Sequence, residues 1–181
     1  MDTFLHIGAL WIHILGIALF VGPQFFLAFA WIPASRLIED LPTRARAMRK
    51  ITTRFGYLGS VGIVLIVIAG SYLIATWRDW HGEGAALDAS FIDYRFGLIF
   101  IVKMAIFIVM LLIVGLHMFV VGPAQVEAFE ELANGDASAN SRVLRLRRVS
   151  MAVSITGLLL TLIIMVMGSM LSASVFSLEL L

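Results

Sequence analysis

The fold this sequence predicts is all-α: an integral membrane four-helix bundle in a single transmembrane domain over residues 1–181. Composition is the first reason. Apolar residues make up 61% of the chain and its mean hydropathy is +1.00, which no ordinary soluble domain matches. The second reason is four long apolar runs at residues 4–32, 57–77, 96–121 and 149–178; three carry no Asp, Glu, Lys or Arg, and the run 96–121 carries only Lys103. Each exceeds the roughly 20 residues needed to cross the hydrocarbon. None alternates with period two, which removes a β-barrel.

The first run is expected to kink near Gly22-Pro23, because Pro23 deletes a helical hydrogen bond. It reads as a mature span rather than a cleaved signal peptide: Ala28-Phe29-Ala30 resembles a cleavage site, but the basic residues follow the apolar stretch instead of preceding it. The connection 33–56 carries six basic residues, Arg36, Arg44, Arg46, Arg49, Lys50 and Arg54. After the second run, the segment 78–95 holds four acids and only Arg78 and Arg95, and its Gly82 and Gly84 suit an outer lid or a plain connector. The third run ends at Pro123, beyond which residues 124–132 read as a short amphipathic extension stopped at Asn134-Gly135. The connection 122–148 carries Arg142, Arg145, Arg147 and Arg148. The positive-inside rule then puts both basic loops, 33–56 and 122–148, in the cytoplasm and both termini outside. These basic clusters read as topology signals rather than as a nucleic-acid site. With no cysteine, disulfides, thiolate-held zinc, iron–sulfur clusters and thioether-linked haem are excluded in this chain.

The halves match weakly. Val21-Gly22-Pro23 falls on Val121-Gly122-Pro123 at an offset of 100, and Gly59 and Gly70-Ser71 fall on Gly157 and Gly168-Ser169 at an offset of 98. Two parallel two-helix repeats would produce this, and so would chance in Gly- and Leu-rich sequence.

Polar residues then select faces. His6, His13 and Gln24, spaced by seven and eleven, fall within about 20° of one another on a helix. Lys103, Met110 and His117 repeat at heptad spacing on the third helix, and the two stripes are expected to face each other. Ser150, Ser154, Gly157, Thr161 and Gly168 give the fourth helix a small face suited to close packing. At about 1.5 Å per residue His13 lies some 13 Å below the outer start of its helix, Lys103 about 10 Å and His117 about 30 Å. Aligning the two Gly-Pro pairs instead brings His13 and His117 to within about 6 Å in depth. The first count favours an outer-half site of His13 and Lys103, with His6, Arg95 and His81 near its mouth. Lys103 is the key residue, since an ionisable group inside a span costs a few kcal/mol and marks function unless it snorkels to the headgroups. Nine methionines, among them Met104, Met167 and Met170 in the outer half, read as apolar filler or as soft-metal ligands.

Ile12-His13-Ile14-Leu15 followed by Phe20 and Gly22 resembles the first-helix motif of the copper-resistance D (CopD) superfamily, and Arg95-Phe96-Gly97 with Ile101-Val102-Lys103 resembles its third-helix motif. A His and a Lys on corresponding helices are similar to those of the HemJ-type protoporphyrinogen oxidases. The chain departs from the pattern at Phe20, at Pro23 and in placing His117 fourteen residues beyond the lysine. The resemblance implies His13 as a haem or metal ligand, Lys103 as its essential basic partner and a multi-pass protein of a bacterial-type inner membrane. The function expected is a haem b-binding redox protein, either electron-transferring or porphyrin-oxidising. Lys103 takes the catalytic role and His6, Arg95 and His117 accompany His13 at the cofactor. Its partners would be the lipid bilayer, a quinone or another redox membrane protein, and copies of itself. A copper permease using imidazole and thioether ligands is the alternative, although a fixed Lys103 cation repels a metal ion. A non-catalytic subunit of a larger membrane complex, with the polar stripes as helix–helix glue, is the third reading.

Overall fold

The computed structural model describes residues 3–81 and 90–180. The side chain of His81, and Gly82 and Gly84 of the expected lid, lie outside the described residues. Four helices are long and apolar enough to cross a membrane: α1 (Thr3–Ser35), α2 (Leu41–Ala75), α3 (Arg95–Ala133) and α4 (Ala139–Ser172). Their outer flanks are apolar, with Trp11 66%, Leu112 69% and Phe119 75% exposed, so a bilayer is the solvent that this surface suits.

Three of the helices run well past their apolar segments at the end of the bundle that carries the basic residues. Within the expected 33–56 connection only residues 36–40 are non-helical, because α2 begins at Leu41. Asp40 caps it, its carboxylate accepting from the Thr43 backbone N–H at 3.0 Å, and Pro42 sits in the first turn where its missing N–H is no loss. These hydrogen bonds from Thr43 hold the Asp40 carboxyl below its ordinary value. Arg, Lys and Ala are good helix formers, so the basic stretch continues the helix that the apolar run requires. Likewise α4 begins at Ala139, ten residues before its apolar run. The amphipathic extension after Pro123 forms as expected, and the helix stops at Asn134, with Gly135 at φ +99°.

Pro23 sits inside an unbroken α-helical stretch. The helix remains α-helical to Phe25 and then runs as a π-helix over Phe26–Trp31 before resuming. Gln24 turns its side-chain amide onto the Phe20 carbonyl at 3.3 Å, so this member of the polar stripe serves its own helix. A second π-helical stretch, His117–Val121, interrupts α3 immediately before Gly122-Pro123.

Helices pack as two antiparallel hairpins, α1 on α2 and α3 on α4. The hairpins meet at mid-depth, where Phe20 and Val21 bury against Met110 among Ile63, Phe107, Leu160 and Ile164. At the end away from the basic residues, Trp77, Tyr94, Phe96 and Leu171 form an aromatic cap. There Gly97 lies so close to the Phe91 backbone that any side chain would collide with it. The Arg95 backbone N–H donates to the Glu179 carbonyl at 3.0 Å, which folds the C-terminal segment back over the cap.

Candidate functional site

On α1, His13 faces α2. A backbone carbonyl can only accept, so the 3.1 Å contact between His13 Nδ1 and the Ile66 oxygen fixes the proton on Nδ1 and leaves the Nε2 lone pair for a ligand. The ring lies over Gly70, where a Cβ would come within 3.2 Å of Cε1. The glycine makes room for the imidazole, and the carbonyl orients it. Such a second-sphere bond from Nδ1 is what positions metal-binding histidines generally.

Lys103 occupies the corresponding place in the other hairpin. Its Nζ lies 3.9 Å from where a Cβ on Gly168 would stand. Phe20 and Met110 pack together, and His13 and Lys103 each lie seven residues above one of them on helices running the same way. Both are therefore about 10 Å from that contact, on one level. Depth counting from the helix starts thus agrees with the structure, whereas alignment of the Gly-Pro pairs does not. Pro23 lies three residues below the Phe20–Met110 contact and Pro123 thirteen. By contrast the glycine matches on α2 and α4 are structurally equivalent, since Gly70 and Gly168 each face a polar side chain at the same level.

The two polar stripes do not face each other as the spacing suggested. That of α3 runs along α4: Lys103 meets Gly168, Thr161 Oγ1 donates to Met110 Sδ at 3.2 Å, and Ser154 Oγ lies 3.5 Å from His117 Nε2. Each seven-residue step down α3 is answered by a seven-residue step back along α4. The small face of α4 is the packing surface its composition suggested. In a membrane a polar group on a helix is most cheaply satisfied by the small, polar neighbour it already packs on.

The remaining predicted site residues are dispersed. His117 lies fourteen residues below Lys103, about 21 Å along the helix, so it shares no level with His13. Its Nδ1 is buried without a hydrogen-bond partner among the described residues. His6, one heptad above His13, stacks on Trp80 with ring centroids 3.8 Å apart. Arg95 pairs with Glu179 at 2.5 Å and covers the Phe176 ring at 5.1 Å, so its guanidinium serves the cap. Two polar atoms that composition did not single out, Tyr72 Oη and Trp80 Nε1, are buried without partners among the described residues in the half of the bundle that holds His13 and Lys103. Tyr and Trp are common at membrane interfaces, so nothing in their sequence context separates them from ordinary belt residues.

Among the described residues no three His, Asp or Glu side chains gather as a cage for a metal ion. A macrocycle that brings its own four nitrogens needs one or two axial ligands from the protein, and a single imidazole such as that of His13 can supply one. No family model, curated protein or solved structure matches this chain.

Proposed function

We propose that the protein binds a b-type haem in the half of the bundle away from its basic end and uses it in a membrane redox role, with His13 as axial ligand. The observation that carries this reading is the His13 ring, held through Nδ1 by the Ile66 carbonyl so that Nε2 stays available. Haem, when bound, supplies one-electron chemistry. Lys103, level with His13, offers a cation to the propionates or to an acidic porphyrin substrate and lowers the cost of burying their charge. Tyr72 and Trp80, whose polar atoms have no partner among the described residues, would give donors to the same acids. Electrons would leave to a quinone or another membrane redox protein, and with the basic loops on the cytoplasmic side the site would lie in the outer half of the membrane.

A visible spectrum of the purified protein tests this. The expected result is a Soret band that shifts on dithionite reduction, vanishes in His13→Ala and loses intensity in Lys103→Met. Unchanged haem content and activity in Lys103→Met would reduce the lysine to a snorkelling residue. A preparation that stays colourless with haem supplied, and that takes up copper or copurifies with fixed partners instead, would overturn the assignment.

A further inference from the structure

A groove of about 560 Å³ opens between α2 and α3 at the basic end, far from the His13 level and within the roughly 300–1,000 Å³ of small-molecule sites. It is amphipathic along the helix axis. Arg49, Thr52 and Thr53 line its polar end, and Tyr57, Met118 and Phe119 line its apolar end. The space beside Gly56 is open, since a Cβ there would meet nothing closer than Met118 Cγ at 3.8 Å. Both Met118 and Phe119 belong to the π-helical stretch His117–Val121, which alters the directions of side chains from the regular helix. A second hollow, lined by Lys50, Thr53, Arg54 and Tyr57, shares two of these walls.

The charges leave this region positive. Arg49 is paired with Glu130, and Glu127, the acid in the groove wall, is held by Arg142 at 3.4 Å. Lys50 and Arg54 have no ion pair among the described residues. From Lys50 to Tyr57 is seven residues, about 10 Å along the helix, which is the step from a headgroup to the first part of an acyl chain.

We propose that this groove binds one anionic phospholipid of the leaflet on the basic side, its phosphate held by Lys50 and Arg54 and its acyl chain laid along Tyr57, Met118 and Phe119. A topology signal needs only positive charge near the membrane, and Arg145, Arg147 and Arg148 supply that equally on α4. What distinguishes Lys50 and Arg54 is the apolar trough beginning where their charge ends. The occupant is an amphiphile because neither end of the groove alone suits one kind of ligand.

Native mass spectrometry of the intact protein in neutral detergent, titrated with phosphatidylglycerol or phosphatidylcholine, tests the proposal. Phosphatidylglycerol should bind at least about 10-fold more tightly, in keeping with about 1 kcal/mol for each basic residue at the surface. Lys50→Gln with Arg54→Gln should weaken it about 30-fold on the same scale. Gly56→Leu keeps both cations and fills the trough, and it should also weaken binding; Ser60→Leu serves if that variant does not fold. Arg145→Gln with Arg147→Gln should change nothing. Equal binding of the two lipids, or an equal loss in the Arg145/Arg147 variant, would overturn the site in favour of diffuse surface charge. Full competition by glycerophosphate would reduce it to an anion site.

Discussion

In the first hairpin backbone meets backbone. A Cβ placed on Gly62 would stand 2.7 Å from the Gly16 carbonyl oxygen and 2.9 Å from the Phe20 nitrogen, and one on Gly16 would stand 2.8 Å from the Gly62 oxygen. In the second hairpin side chains of α3 rest on small residues of α4: Val114 Cγ2 is 3.5 Å from a Cβ on Gly157, and Met110 meets the Thr161 hydroxyl. Both are small-residue interfaces of the kind membrane helices use in place of a hydrophobic driving force. They differ in what yields when the interface is filled. In the first only the backbone can move, and in the second a side chain can.

That difference is most exposed by an alanine at each crossing. Gly62→Ala adds a methyl into two backbone atoms, so overpacking near the upper end of 1–3 kcal/mol, less about 1 kcal/mol of helix propensity, leaves a net loss of about 2 kcal/mol. Gly157→Ala adds the same methyl at ordinary contact distance and should be neutral or up to about 1 kcal/mol stabilising. Titration with a denaturing detergent reads both. Equal losses at the two positions would mean that the hairpins are closed alike.

A smaller contrast separates the two polar positions. Gly70→Ala would bring a methyl within 3.2 Å of His13 Cε1 and 3.4 Å of Nδ1, and the ring cannot swing away without stretching its bond to Ile66. Gly168→Ala meets only the flexible tip of Lys103, at 3.9 Å. The expected cost is about 1 kcal/mol at Gly70 and near zero at Gly168. Should the Gly168 variant lose as much, Lys103 is held more rigidly than its long side chain implies.

Why some of this could be read in the sequence and some could not follows from what hydropathy measures. Runs free of charge can exist only where lipid replaces water, so the four spans and the all-α class were plain from residues 4–32, 57–77, 96–121 and 149–178. Hydropathy says nothing of where a helix stops once it has left the lipid, which is why α2 and α4 begin well before their apolar runs. The shared depth of His13 and Lys103 was countable because α1 and α3 run in one direction from starts at the same end of the bundle. Which way their stripes face was not, because a polar residue on an apolar rod marks a buried side without naming the neighbour. The glycines of α2 and α4 held that information in their spacing: Gly59, Gly62 and Gly70 share the face that receives Phe20 and His13. The Gly-Pro match misled because proline acts on its own helix: α1 stays α-helical through Pro23 and its π-helical stretch ends just before Ile32-Pro33, whereas that of α3 ends just before Gly122-Pro123.

The least of the expected effects concerns the polar rung of the second hairpin. Thr161 is only 4% exposed and its hydroxyl has two acceptors, the Gly157 carbonyl of its own helix at 2.8 Å and Met110 Sδ at 3.2 Å. A hydroxyl has one proton, so the bond to the thioether competes with one that α4 makes without any partner helix. Thr161→Val keeps the shape and removes both contacts. A hydrogen bond between membrane helices averages about 0.6 kcal/mol, and the bond within α4 stabilises it whether or not α3 is docked, so the loss should be about 0.5 kcal/mol or less. The same substitution combined with Met110→Leu should cost no more than the two changes made singly, because little coupling is left to lose. A coupling above about 1 kcal/mol in that double-mutant cycle would show that the hydroxyl serves Met110 first, and the second hairpin would then be closed by a polar lock rather than by packing alone.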